Sequence, residues 1–423
     1  MKRGKFEFIN LKYKPKNDLV CLFRIEPNRI SMEKAANTVA LESSTGTWTK
    51  VVGSKLDYVK KLQAKVFSIK KDGRIKIAYP EELFETDNVP NILSSIAGNI
   101  FGMKAVNNIR LEDVSFPKSI LKSFKGPRYG IEGIRKMMKI KTRPLVGTII
   151  KPKLGLNTQH HVESAYQSWI GGCDFVKDDE NLASQKFNQF EKRLAKTLEM
   201  ADKAESETGE KKAYLVNVTA ETKEMMKRAQ LAEKMGSKYI MIDILTAGWA
   251  ALQTLREANF KTAIHAHRAM HAAFDRNPKH GMSMMVIADF ARLIGVDTLH
   301  IGTGIGKLEG NIKDIEDLSE EIEDKNVKET KERLAQRWGK IKPTLSVSSG
   351  GLHPGHVPFL VKHLGKDLVV QAGGGIHGHP FGTEAGARAM RQAVDAVMKK
   401  VSLEKYAKTH VELEEALKLW VKR

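Results

Sequence analysis

The chain has only two cysteines, Cys21 and Cys173, in 423 residues. So few, so far apart, exclude a disulfide scaffold and a cysteine-based zinc site, and fit a reduced, cytoplasmic protein. Long apolar runs are also missing. The longest, such as Met284 to Ala288, fall far short of the roughly 20 residues that a membrane span needs. No apolar stretch follows the basic Met1-Lys2-Arg3 start, so a secretory signal is not expected. Aromatic residues make up 7% of the chain, and no strand-like segment is rich in the rings on which bases stack. Internal repeats and low-complexity tracts are absent as well.

Positive charge is plentiful: 70 Lys and Arg stand against 50 Asp and Glu, a formal net charge of +20. These cations are spread through amphipathic helices, as at Lys223, Lys227 and Lys234 with Glu between them, and form no single stripe. That pattern favours a solvated surface that attracts a small anionic substrate over one that binds nucleic acid. With 41% hydrophobic residues, the chain can build a barrel-sized core and a smaller domain beside it.

From about residue 125 onward, short β-branched runs alternate with helical patterns. The strand candidates are 145–153, 172–180, 213–220, 238–245, 262–269, 297–304, 343–351 and 367–375. Eight near-continuously apolar strands, each followed by a helix, predict an α/β chain whose residues 125–423 form a (β/α)8 TIM barrel with C-terminal helices. Residues 1–124 predict a separate α+β domain of ferredoxin-like type. Its strands are expected at FEFINLKY, DLVCLFRI and KAVNNIRLEDVSF, with a hairpin turning at Asp72-Gly73 and helices at 31–44 and 91–99. Ser31 is a suitable N-cap for the first helix. The charged stretch 312–336 is expected to be a solvated excursion after the sixth barrel strand.

Barrel enzymes work at the C-terminal ends of their strands. Strand one ends in Lys151-Pro152-Lys153, two lysines on one face that can bind anions or move protons. Strand two ends in Lys177-Asp178-Asp179-Glu180, where carboxylates suit a hard cation such as Mg2+. A cationic Lys177 would repel that metal, unless the neutral amine reacts with CO2 to give an anionic carbamate. The bland alternative is a Lys–Asp salt bridge. Strand five ends in His265-Ala266-His267-Arg268, and strand six in His300 before a Gly-hinged loop carrying Lys307, which has the form of a lid. Strands seven and eight end in Ser349-Gly350-Gly351 and Gly373-Gly374-Gly375, turns that commonly bind phosphate in this fold. Together these ends predict a metal-dependent enzyme acting on a small phosphorylated substrate.

The strings GTIIKPKLGL (147–156), GGCDFVKDDEN (171–181), HAHRAMHA (265–272), GKLEG (306–310), SSGG (348–351) and QAGGG (371–375) resemble the large chain of ribulose-1,5-bisphosphate carboxylase/oxygenase. ESSTGTWT (42–49) and GNIFGMKA (98–105) resemble its smaller domain, so the likeness spans the chain, and its wording is similar to the archaeal form III branch. The resemblance implies carboxylation of ribulose 1,5-bisphosphate, with O2 attacking in a side reaction and with AMP or nucleoside salvage as the setting. It implies Lys177 as carbamate, Asp179 and Glu180 as Mg2+ ligands, and Lys151, Lys177, His267 and Lys307 as catalytic residues. Lys153 would support the bound intermediate. Arg268, His300 and Ser349 would bind one phosphate, while Gly351, Gly373, Gly374, Lys307, Thr47 and Trp48 bind the other; Gly350 and Gln371 lie among these substrate contacts. Glu42, Thr47, Trp48 and Asn99 would complete the site from a partner subunit, so a homodimer is the minimum expected, without a small subunit. The rival implied by the same likeness is a related enolase or isomerase on another sugar phosphate.

Overall fold

The structure, a computed structural model, describes residues 6–47, 49, 51–305 and 311–421. Packing divides the chain into two compact units. One comprises residues 1–126, 270–294 and 324–341, the other 127–269, 295–323 and 342–423.

In the first unit, strand β1 (Asp18–Pro27) buries Leu19, Cys21, Phe23 and Ile25 on one face. The helix Met32–Glu42 follows, and the Ser31 side chain accepts a hydrogen bond from the Lys34 N–H at its start, satisfying a donor the helix cannot. Strands β2 (Lys65–Ile69) and β3 (Arg74–Pro80) form the expected hairpin, with Gly73 at φ +89°. The helix Val89–Ile96 and strand β4 (Val106–Ser115) complete a βαββαβ run. The antiparallel order β4-β1-β3-β2 is the ferredoxin-like arrangement.

One expectation fails here, and a second holds only in part. FEFINLKY forms only the isolated bridge Ile9–Val66, because Phe8 is buried at 3% exposure while Phe6 stands 38% exposed; one anchored side chain does not hold a strand. The stretch 312–336 is a solvated excursion only in part: residues 324–332 are exposed apart from Val327. The helix Ile312–Glu323 buries Ile315, Leu318 and Ile322 in the second unit. Residues 324–341, with 270–294, group with the first unit, although a division at residue 124 would leave both stretches with the barrel. Two carboxylates of 324–341 are paired within the first unit: Glu329 lies 2.6 Å from Lys76, and Glu332 3.0 Å from an Arg74 that also pairs with Asp72 and Glu112.

The second unit is a closed parallel barrel of eight strands. They are β5 (Leu145–Ile149), β6 (Phe175–Lys177), β7 (Ala213–Asn217), β8 (Tyr239–Asp243), β9 (Ala263–His267), β10 (Thr298–His300), β11 (Leu345–Ser349) and β12 (Leu368–Ala372). Each lies inside its expected segment, and nearly every position is buried, the condition that makes parallel strands read as continuous apolar runs. The helix Gly130–Met138 closes the N-terminal end by packing Ile134 and Met138 against Leu145, Phe175, Tyr239 and Val347. Side chains buried this completely contribute roughly 1.5–3 kcal/mol each. Asp297 ties the plug to the barrel by accepting the N–H groups of Tyr129, Gly130 and Ile264. With the bottom filled, only the opposite end is open to chemistry. Among the described residues no helix is long and apolar enough to cross a membrane.

Candidate active site

The last residue of β6, Lys177, points its amine into the barrel at 1% exposure. Its Nζ donates to the Asp178 carbonyl at 2.7 Å and touches Met241 Sδ at 3.2 Å. Burial pushes this amine below the ordinary lysine value, against the pull of Asp179, Asp243, Glu180 and Asp178. A lysine held toward its neutral form is a nucleophile for CO2. The alternative reading, a salt bridge between Lys177 and Asp179, is not formed among the described residues: Asp179 pairs with Lys151 instead. Lys153 reaches Glu180 Oε1 at 2.5 Å and stands 3.9 Å from Asp179 Oδ1.

The two carboxylates divide their charge unevenly. Burial raises Asp179, and its hydrogen bond with Glu180 raises it further. Glu180 feels the same burial, but hydrogen bonds from Asp179 and Lys153 outweigh it and hold the group low. Two acids this close, one driven toward its protonated form, make a pair that a divalent cation would relieve. Among the described residues no three His, Cys, Asp or Glu side chains converge as a ready-made metal site. A cation at Asp179 and Glu180 therefore needs a further oxygen donor, and a carbamate on Lys177 is of the right chemistry.

The loop bearing these acids is anchored from behind. Asp178, 0% exposed, receives Arg193 Nη2 at 3.1 Å, the Asn217 N–H at 3.0 Å and the Tyr214 hydroxyl. Asn217 also donates from Nδ2 to the Glu180 and Leu182 carbonyls. His267 sits at the end of β9 with Nδ1 3.0 Å from Asp243 Oδ1 and Nε2 4.0 Å from Glu180. Burial lowers His267, as does Lys177, and Asp243 only partly offsets them. The neutral imidazole this leaves can hydrogen-bond to a hydroxyl.

Arg268, next in the chain, lies against the loop after β10. A Cβ at Gly302 would come within 2.8 Å of Arg268 Nη2, and Gly302 sits at φ +105°, so only glycine admits the guanidinium here. His300 ends β10 and Ser349 ends β11, and the Ser348 hydroxyl donates to the Gly302 carbonyl at 2.8 Å, joining the two loops. On β12, Gln371 is fully buried and neither amide atom has a hydrogen-bond partner among the described residues. Gly373 follows at a close approach, where a Cβ would meet Lys151 Cε at 2.8 Å. Gly373→Ala should displace that lysine and lower turnover about tenfold or more with little change in melting temperature. An equal loss of both, by steady-state kinetics and calorimetry, would contradict this.

Residues 7–120 match the family described as ribulose bisphosphate carboxylase large chain, N-terminal domain, and residues 130–420 match its catalytic domain. The chain belongs to the ribulose bisphosphate carboxylase large-chain family. A ribulose bisphosphate carboxylase of Methanocaldococcus jannaschii is 52% identical over 425 residues, covering 98% of this chain and 100% of that one. A dimeric archaeal Rubisco from Hyperthermus butylicus superposes with a TM-score of 0.92 at 47% identity, covering 98% of this chain and 99% of its own. The octameric enzyme of Pyrococcus horikoshii gives a TM-score of 0.91 at 44% identity, over 99% and 97%.

Of the site residues expected from the likeness to this large chain, Lys151, Lys153, Lys177, Asp179, Glu180, His267, Arg268, His300, Ser349, Gly350, Gly351, Gln371, Gly373 and Gly374 all belong to the barrel unit. Glu42, Thr47 and Asn99 belong to the N-terminal unit, at a helix end, in the loop after it and at the start of a 3-10 turn. Lys307 and Trp48 lie outside the described residues. The strand-end reading missed Asn217 and Asp243. Both were visible as the single polar residue closing an apolar strand, in AYLVN and YIMID.

Proposed function

We propose that this chain is a ribulose bisphosphate carboxylase, a carbon–carbon lyase that joins CO2 and water to ribulose 1,5-bisphosphate and releases two 3-phosphoglycerate. The observation that carries the reading is the meeting of Lys177, Asp179, Glu180, Lys151, Lys153 and His267 at one end of one barrel, in a chain about half identical to carboxylases along its full length. Retention of all six weighs against an enolase or isomerase on another sugar phosphate.

Lys177 as carbamate, Asp179 and Glu180 would hold Mg2+. When bound, Mg2+ supplies a Lewis acid that polarises the substrate's C2 carbonyl. The Lys177 carbamate takes the C3 proton, giving the enediol. His267, neutral and with its Nδ1 accepting the Ala269 N–H at 3.2 Å, holds the sugar hydroxyls. Lys151, within reach of Asp179, moves protons at the reacting carbons, and Lys153 supports the carboxylated product. Arg268, His300 and Ser349 grip one phosphate; Gly351, Gly373, Gly374 and Lys307 grip the other, which fixes the five-carbon chain before CO2 arrives. O2 can attack the same enediol. Glu42, Thr47, Trp48 and Asn99 would act from a second copy, so the working unit is at least a dimer, as in the archaeal relative of that form. A nucleoside-salvage setting rests on the likeness to the archaeal branch.

Incubation with ribulose bisphosphate, labelled bicarbonate and Mg2+ without oxygen should yield labelled 3-phosphoglycerate; no label at any temperature would refute the reading. Because CO2 adds to a neutral amine and burial holds Lys177 below the ordinary value of 10.5, carbamate formation should reach half-completion below that pH. Followed by 13C NMR at a fixed concentration of labelled CO2, a midpoint no lower than that of the exposed lysines of the same protein would refute the assignment.

A further inference from the structure

Three side chains below the mouth form one hydrogen-bonded file. Thr298 Oγ1 is 2.8 Å from His265 Nδ1, and His265 Nε2 is 2.9 Å from His300 Nε2. Thr298 is 0% exposed, His265 1% and His300 5%. The His300 ring is also held edge-on between two others, its centroid 4.8 Å from that of His265 and 4.7 Å from that of His267. Its plane is therefore set by packing, and what remains open is which of its nitrogens carries the hydrogen.

Two imidazoles that face each other through Nε2 at hydrogen-bond distance share one hydrogen between those atoms. Two arrangements satisfy this. In the first, the Thr298 hydroxyl donates to His265 Nδ1, His265 donates from Nε2 to His300, and His300 carries its own hydrogen on Nδ1. In the second the direction reverses, and His300 Nδ1 is left as a bare lone pair. Only the first uses the Thr298 hydroxyl hydrogen. In the second that hydrogen has no partner among the described residues, at a position with no exposure, and a buried donor without a partner is costly.

We infer that Thr298 and His265 are positioning residues that hold His300 in its Nδ1–H form, so that the mouth offers an uncharged hydrogen-bond donor to an anionic oxygen of the substrate. The inference rests on the carboxylase reading only for naming that oxygen as one of a ribulose 1,5-bisphosphate phosphate. A reversed file would turn a lone pair on the same anion and repel it. Neither Thr298 nor His265 touches the substrate; both act through His300.

The test is Thr298→Val, which keeps the side chain's shape and removes the hydroxyl, beside Thr298→Ser, which keeps the hydroxyl. In Thr298→Val either direction of the file leaves His265 Nδ1 without a partner. With 15N-labelled histidine in the full-length protein, and the His300 signals assigned by their loss in His300→Asn, the valine variant should therefore lose the preference and show the Nε2–H pattern of His300 beside the Nδ1–H one. Its KM for ribulose bisphosphate should rise about tenfold with kcat within about twofold. Thr298→Ser should restore both the pattern and KM. An unchanged pattern in the valine variant, a serine variant that behaves like valine, or a fall in kcat at constant KM would each overturn the inference. If the wild-type protein fails to carboxylate, the carboxylase reading falls alone. The file is then judged by titrating inorganic phosphate against the same His300 signals: weaker binding in Thr298→Val supports it, and equal binding overturns it.

Discussion

Lys177→Ala is expected to lower carboxylation at least about a thousandfold and to erase any gain from pre-incubation with CO2. Lys177 is placed in two roles at once, as an oxygen donor for the metal and as the base for the C3 proton, and alanine removes both. The effect should be chemical and not a loss of fold. In the unreacted protein, among the described residues, the amine donates to the Asp178 carbonyl and, more weakly, to Met241 Sδ. Losing these bonds and leaving a cavity is destabilising, but removing a desolvated amine offsets part of it. Turnover, melting temperature and the carbamate signal under 13CO2 can be read from one preparation. A variant that keeps its turnover would move the base elsewhere, with Lys151 the next residue to consider.

Asp178→Ala should produce the largest loss of stability in the barrel, about 3–5 kcal/mol. Asp178 and Arg193 are both 0% exposed, and the carboxylate also takes the Tyr214 hydroxyl and the Asn217 N–H. Deleting it strands a buried guanidinium and two donors, which is far more costly than deleting a surface ion pair. The loop after β6 would lose its anchor, so Mg2+ affinity should fall together with stability. Urea denaturation followed by barrel tryptophan fluorescence measures the first and calorimetric titration with Mg2+ the second. A change in unfolding free energy under about 1 kcal/mol would show that the pair is not an anchor. Asp178→Asn, which keeps some acceptor capacity for Arg193 and Tyr214, should be milder.

Asp178 also shows where reading the chain stops. In the string KDDE it is one acid among three, and nothing in the string says what the acid turned away from the mouth will meet. Alternation along a strand says that Lys177 and Asp179 share a side. It does not say that Arg193, on the following helix, and Tyr214, on the next strand, meet Asp178 on the other. His265 is similar. It was legible as half of an H-x-H, but its role depends on Thr298 and His300 of the neighbouring strand, and strand register is a property of the closed barrel.

The chain by itself determined the ferredoxin-like and barrel classes, the place of all eight barrel strands, and the acids, lysines and glycines at their ends. These are local: a buried parallel strand must be apolar throughout, and residues that touch a ligand must stand where the strand stops. Three things were decided only in the tertiary structure. Residues 270–294 and 324–341 leave the barrel unit for the N-terminal one, because their apolar side chains are buried there and Lys279, Glu329 and Glu332 find partners of opposite charge there. Asp179 takes Lys151 and not Lys177 as its cation, because Lys177 is desolvated inside the barrel. And the file from Thr298 to His300 exists because neighbouring parallel strands bring hydrogen-bonding atoms together that sequence separation keeps apart.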